Sequence, residues 1–162
     1  MRHLFCLSFL ILFFGCNSRT SQNDKFSDVK SIQLKTSFVD LKNKKVDLNS
    51  FKGNKIIVSY WATWCRPCIK EMPAIIRAQE ILKNDNITFL LVSDENISSI
   101  TNFKNKKKYN LKFLKSVRSN ETLGIYSLPT AYIFNEQGIK IETIVGAVSW
   151  DSKQTIKKLK TL

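Results

Sequence analysis

The sequence predicts a single α/β domain, and three observations carry that expectation. Ile56-Ile57-Val58-Ser59-Tyr60-Trp61 is an apolar, β-branched and aromatic run of the kind that forms a strand buried on both faces. Ile69, Met72 and Ile76 then recur at spacings of three and four, the period of an amphipathic helix. Strand-like and helix-like segments keep alternating beyond them, which is how sheets covered by helices are built. A chain of 162 residues suits one such domain and is short for two.

The elements follow in order. Ser31 to Val39 reads as a first strand, and Lys52-Gly53-Asn54 is a turn signal before the central one. The helix that follows should run from Cys65 to Lys83, with Pro73 inside it as a kink. Ile87 to Val92 is another buried strand. Ile97, Ile100 and Phe103 mark a second helix that ends in a lysine-rich stretch. Thr130 to Phe134 and Ile139 to Val145 flank Glu136-Gln137-Gly138, a hairpin signal. Trp150 to Leu162 reads as a terminal helix with Ile156 and Leu159 facing inward.

Ahead of the domain, Met1 to Cys16 has the pattern of a targeting segment. Arg2 supplies the positive start, and Leu4 to Phe14 is uncharged and mostly apolar. Such a run covers about half of a bilayer's hydrocarbon core, too little for a permanent span. It ends in Phe13-Phe14-Gly15-Cys16, which resembles a bacterial lipoprotein signal with Gly before the lipidated cysteine. Phe13 stands where such signals usually carry Leu, and Phe14 where they carry a smaller residue. An ordinary cleaved signal and an uncleaved anchor are the alternatives, and all three put the rest outside the cytoplasm. On the lipoprotein reading Cys6 and His3 leave with the signal and Cys16 carries the lipid. Residues 17–30 then form a polar tether, residues 31–162 the domain, and Cys65 and Cys68 its only thiols.

Composition excludes several chemistries. One histidine, at position 3, leaves no parts for a multi-histidine zinc site or a Ser-His-Asp triad. The net charge of +13 points toward anionic partners, but no nucleic-acid-binding motif accompanies it. Lys104 to Arg118 holds six Lys and one Arg with no acid. It reads as a solvated helix face and loop; the alternative is a patch facing anionic headgroups or an acidic partner.

The chemistry concentrates in Trp64-Cys65-Arg66-Pro67-Cys68, between the buried strand and the helix. That placement puts Cys65 at a helix N-terminus, where unpaired N–H groups and the positive dipole end stabilise a thiolate, the nucleophilic form. Cys68 lies one turn on, more buried and near enough to close a small disulfide. Pro67 falls in the first turn, where its missing N–H costs nothing. A zinc site would need about four ligands. A haem-attachment motif would need His where Ile69 stands. A purely structural bridge over so short a loop would remove little chain entropy. Redox chemistry is the reading that fits, with no metal or cofactor.

Lys52-Gly53, the run Tyr60 to Cys68, Glu71-Met72-Pro73 and Leu128-Pro129-Thr130, taken together and in order, resemble the TlpA/ResA-like branch of thioredoxin-fold proteins. The resemblance spans about Phe38 to Leu162. It implies a thioredoxin-like fold, a central mixed β-sheet flanked by α-helices, and a membrane-tethered thiol–disulfide oxidoreductase of the bacterial envelope. Several members keep apocytochrome c cysteines reduced for haem attachment. By the same resemblance Cys65 attacks and Cys68 resolves, on disulfide-containing protein substrates, with a membrane electron donor recharging the pair. Pro129 matches a cis-proline that meets the substrate, and Trp64, Arg66, Pro67, Leu128 and Thr130 flank it as substrate contacts. Glu71 matches a glutamate near the second cysteine. It falls on the helix face of Cys68, as a proton-handling group or only a solvated charge. Thioredoxin itself carries a buried Asp where Ser59 stands, so any proton relay must use Glu71, water or the surroundings of Cys68. A peroxidase would carry Thr at Ala62. An oxidase or isomerase and a non-catalytic binding lipoprotein remain as alternatives. The charges of Arg66 and Glu71 push the redox potential in opposite senses.

Overall fold

The computed structural model describes residues 38–162. The expected signal segment with Cys16, the expected tether and most of the expected first strand lie outside the described residues. Seven strands form one sheet: β1 (Phe38–Val39), β2 (Lys45–Val46), β3 (Lys55–Tyr60), β4 (Ile87–Ser93), β5 (Lys112–Ser116), β6 (Thr130–Phe134) and β7 (Lys140–Val145). Three α-helices accompany them among the described residues: α1 (Arg66–Ile81), α2 (Ile97–Lys107) and α3 (Lys153–Thr161). The spatial order is β2-β1-β5-β4-β3-β6-β7. β3, β4 and β5 pair in parallel, and the other pairings are antiparallel. This is the expected thioredoxin-like arrangement, a mixed sheet flanked by helices.

β3 at the centre is buried along its whole length, as its sequence requires. Its side chains alternate between two cores. Ile57 and Trp61 join Phe89, Leu91, Ala131 and Ile133 on the face covered by the helices, to which α1, α2 and α3 contribute Ile75, Ile100 and Leu159. Ile56, Val58 and Tyr60 face the other way, into a cluster with Phe38, Leu48, Leu90, Val92 and Ile125. α1 and α2 lie on one face because successive parallel crossovers β3-α1-β4-α2-β5 move in one direction along the sheet and share one hand. Ser59 has the parity of the helix-covered face, so a hydroxyl points toward α1 from the middle of an apolar strand.

Three expectations need correction. α1 begins one residue later than expected, at Arg66, and ends at Ile81; Cys65 is its N-cap, and Pro73 lies inside the helix without ending it. The lysine-rich stretch is not only helix face and loop, because β5 runs through it. Phe113-Leu114 is too short an apolar pair to show a strand period, and the strand exists because β4 and β1 pair with it from both sides. The terminal helix starts at Lys153, capped by Ser152, so Trp150 sits in the preceding loop. There it is fully buried, edge-on to Phe89 at 5.5 Å between ring centroids. The 130s hairpin stands as expected, with β7 starting at Lys140 and Gly138 at a positive φ of 75° in the turn.

Candidate active site

β3 ends at Tyr60, and five residues later the chain turns into α1. The connecting loop is held from two sides. Trp61 N–H donates to the Val92 carbonyl at 3.0 Å, extending the β3–β4 pairing past the strand end. Glu95, just beyond β4, accepts the Thr63 N–H with one carboxylate oxygen and the Thr63 hydroxyl with the other, both at 2.7 Å. Ser93 Oγ donates to the same carboxylate at 3.2 Å. Cys65 therefore enters the helix on a pinned loop.

Cys65 and Cys68 are joined as a disulfide, with Cα atoms 5.3 Å apart. Cys65 Sγ accepts the Cys68 N–H at 3.4 Å, the N-cap contact expected of a sulfur in this position. Both cysteines are buried in the disulfide form, while Arg66 and Pro67 are exposed. Trp64, directly before Cys65, is 72% exposed.

Leu128-Pro129 is a cis peptide bond. Thr130, which follows it, pairs with Tyr60 across β3–β6, so Pro129 lies at the strand end from which the cysteines project. Pro129 is buried and Leu128 half-buried, and the Pro129 carbonyl accepts the Gly146 N–H at 2.8 Å. Thr130 is buried with its hydroxyl donated to the Ser127 carbonyl at 2.7 Å. Tyr126, in the loop leading to this bond, is 82% exposed.

Glu71 is not a solvated charge. It is buried beneath the second cysteine's turn of α1. Oε1 accepts from Ser59 Oγ at 3.4 Å, and Oε2 accepts the Val148 N–H at 3.0 Å. The Trp150 indole N–H, fully buried and without a hydrogen bond of good geometry among the described residues, also lies beside this carboxyl. Burial pushes the Glu71 carboxyl above its ordinary range, and the Val148, Trp150 and Ser59 contacts oppose that push without cancelling it. An open groove of about 350 Å³ lined by Pro67, Lys70, Glu71 and Val148 gives the carboxyl a route to water. Among the described residues no group of three or more His, Cys, Asp or Glu could hold a metal ion.

Two sulfurs bonded across the first turn of a helix make a dithiol–disulfide couple, and Glu71 is buried one turn further along the same helix. The family model described as AhpC/TSA family matches residues 27–144. The thiol-disulfide oxidoreductase ResA of Bacillus cereus is 32% identical over 155 residues, covering 90% of this chain and 88% of the relative. The chain belongs to this family, among its ResA-like thiol–disulfide oxidoreductases. Thioredoxin-like protein YneN of Bacillus subtilis is 31% identical over 121 residues, covering 70% of this chain and 69% of that protein. Among solved structures, a thiol:disulfide interchange protein from Chlorobium tepidum superposes with a TM-score of 0.61 at 22% identity, over 77% of this chain and 94% of that one. StoA from Bacillus subtilis gives 0.59 at 21% identity, over 77% and 92%. These structures establish the same fold.

The oxidoreductase thus gathers Cys65, Cys68, Glu71 and the Leu128-Pro129 bond at one end of its sheet. Sequence reasoning noted Ser59 only as a departure, although a hydroxyl in an apolar strand was a visible signal. Glu95, Val148 and Trp150 carried none, because their contacts cross 32, 77 and more residues of chain.

Two expected results follow from these contacts. Glu71→Gln keeps an acceptor for Val148 and removes the ionisation. The raised Glu71 carboxyl binds its proton more tightly folded than unfolded, so its stabilising contribution is present at acid pH and lost as pH rises through the folded value. The variant should therefore gain stability over the wild type at neutral pH and lose that advantage on acidification, read from urea midpoints across pH. Glu95→Ala should cost about 1–2 kcal/mol for its charge-assisted bonds to Thr63. It should also slow reaction of Cys65 with an alkylating reagent in the reduced protein, whereas Glu95→Gln retains one of the two contacts and an intermediate rate.

Proposed function

We propose that this oxidoreductase works in the bacterial envelope, tethered through Cys16, and reduces disulfides of protein substrates. Cytochrome c maturation is the proposed setting, with apocytochrome c as a substrate. The lipoprotein-like Phe13-Phe14-Gly15-Cys16 and the ResA relatives support the placement. The observation that carries the chemistry is the Cys65–Cys68 bridge at the start of α1 with the Cys68 N–H on Cys65 Sγ.

In this mechanism the Cys65 thiolate attacks one sulfur of a substrate disulfide and expels the other as a thiolate. The Cys68 thiol then gives up its proton, and Glu71, a buried carboxyl one turn further along α1 whose proton affinity burial raises, is the acceptor in this reading. The Cys68 thiolate attacks Cys65 Sγ, closing the internal bridge and releasing the second substrate thiolate. Two electrons pass to the substrate, and a membrane donor returns two to the Cys65–Cys68 pair. Exposed Trp64 and Tyr126, with the Leu128-Pro129 backbone, offer the surface on which a polypeptide would lie.

The reduction potential tests the direction. Redox titration against glutathione or dithiothreitol should place the pair near thioredoxin, at about −270 mV, rather than near a strong oxidant at about −120 mV. A value at the oxidising end would assign the protein to disulfide formation instead. Insulin-disulfide reduction by the wild type, absent in Cys65→Ser, is the companion measurement.

A further inference from the structure

Of the eighteen lysines among the described residues, four meet a carboxylate and fourteen do not. Lys55, Lys83, Lys158 and Lys160 each meet a carboxylate, on Glu136, Glu80, Glu142 and Asp85. Lys42, Lys44, Lys45, Lys104 and Lys112 meet none among the described residues, and these five line one open groove of about 650 Å³. They come from two distant parts of the sequence. The β1–β2 turn brings the first three, and the last turns of α2 with the start of β5 bring the others. Only the second group lies in the lysine run visible in the sequence. α2 continues the charge with exposed Lys106 and Lys107, and its C-cap adds exposed Lys108.

The two acids in the groove, Asp40 and Asp47, hydrogen-bond chiefly to backbone N–H groups, and Asp40 also feels the charges of Lys42 and Lys44. Asp40 Oδ1 accepts the N–H groups of Lys42 and Lys44 at 2.8 and 2.9 Å, and the Lys44 amide in particular holds its carboxyl below the usual range. Asp47 accepts from the Asn49 backbone and side chain, both at 2.9 Å. Five lysines against two such aspartates leave a concave surface with excess positive charge, and a concave low-dielectric wall strengthens its field.

The groove's position suggests what it meets. β1 runs antiparallel to β5, pairing Val39 with Lys115, so the following Asp40–Lys44 turn lies toward the Lys112 end of β5. β5 is parallel to β4 and β3, whose other ends lead to Cys65. The lysines thus occupy the end of the sheet away from the disulfide. The described chain enters at Phe38, which pairs with Ser116 at the end of β5 opposite Lys112, and runs from there toward the groove. A lipid on Cys16 would leave the groove within reach of headgroups, because the 22 chain steps from Cys16 to Phe38 can span up to about 75 Å.

We infer that the groove of Lys42, Lys44, Lys45, Lys104 and Lys112 is an electrostatic docking face for anionic phospholipid headgroups, which turns the Cys65–Cys68 end toward the aqueous space. This rests on the envelope placement proposed above. Each lysine near an anionic surface strengthens association by about fivefold, and salt weakens it. A face of this kind orients a tethered domain without holding it permanently, so the disulfide could still swing toward a membrane donor.

The test is amine footprinting of the full-length lipidated chain on vesicles, with a water-soluble acylating reagent read by mass spectrometry. Vesicles of phosphatidylcholine alone are compared with vesicles containing one part in three phosphatidylglycerol. The five groove lysines should label at least threefold more slowly on the anionic vesicles, with Lys70 and Lys153 unchanged and the protection lost in high salt. Lys44→Glu combined with Lys112→Glu, both at exposed positions, should abolish the protection while insulin reduction in detergent stays at the wild-type level. Equal labelling of the groove on both vesicle types overturns the docking face. If the chain then still sediments with both, the tether stands and only the docking falls; if it sediments with neither, both fall. Protection that appears only on adding an acidic protein likewise overturns the lipid assignment.

Discussion

Cys68→Ser is expected to leave Cys65 covalently joined to its substrate and to stop turnover. The two residues have Cα atoms 5.3 Å apart on one turn of α1, so the Cys68 thiol meets the mixed disulfide as an intramolecular nucleophile. Well-oriented groups of this kind act with effective concentrations of about 10⁵ M or more. A hydroxyl in the same place is not ionised at neutral pH and does not displace a thiolate. Release then falls to external thiols at millimolar concentration, slower by at least about a thousandfold. Cys65→Ser is the contrasting variant and should form no adduct. The Cys65 sulfur holds the N-cap, facing the Cys68 amide, whereas Cys68 is the more buried of the two. Non-reducing electrophoresis and mass spectrometry read both outcomes. An adduct on Cys68 in the Cys65→Ser protein, with none on Cys65 in the Cys68→Ser protein, would reverse the roles.

Trp150→Ala is expected to be the most damaging single change outside the cysteines. The side chain is fully buried against Phe89, and the indole stands beside the Glu71 carboxyl. Truncating a buried aromatic costs about 3–5 kcal/mol. That is a large share of the roughly 5–15 kcal/mol by which such domains are stable. The loss should also reach the site, because the loop that Trp150 anchors presents the Val148 N–H to Glu71. Trp150→Phe separates the two effects. It keeps most of the apolar volume, so stability should fall by only about 1–2 kcal/mol. It removes the indole N–H that favours the charged carboxyl, so the Glu71 carboxyl should move further up. Equilibrium urea unfolding reads the first, and the pH dependence of mixed-disulfide resolution reads the second. An unchanged pH profile in Trp150→Phe would detach the indole from the site.

Much of the redox centre is legible in the chain because its contacts are local. Cys65, Arg66, Pro67 and Cys68 occupy one helical turn, and an apolar strand on one side with a three-four apolar spacing on the other fixes where that turn must be. Glu71 is legible by position, three residues from Cys68, but not by state. Whether it is a solvated charge or a buried acid depends on Ser59 across the strand and on Val148 and Trp150 from the far end of the chain. Glu95 was invisible for the same reason, since nothing in Asp94-Glu95-Asn96 announces that Thr63 will donate to it twice. β5 was missed because its pairing with β1 and β4, and not its own two apolar residues, makes it a strand.

The amino-acid sequence by itself determined the α/β class, the position of the dithiol at a helix start and the chemistry that position favours. Period, turn residues and the two-residue cysteine spacing all act over a few bonds. Only the tertiary structure decided which groups surround that dithiol, that Glu71 is buried and raised, and that lysines some sixty residues apart share one unpaired face. Burial and electrostatics depend on distance in space, and sheet order rather than chain order sets that distance.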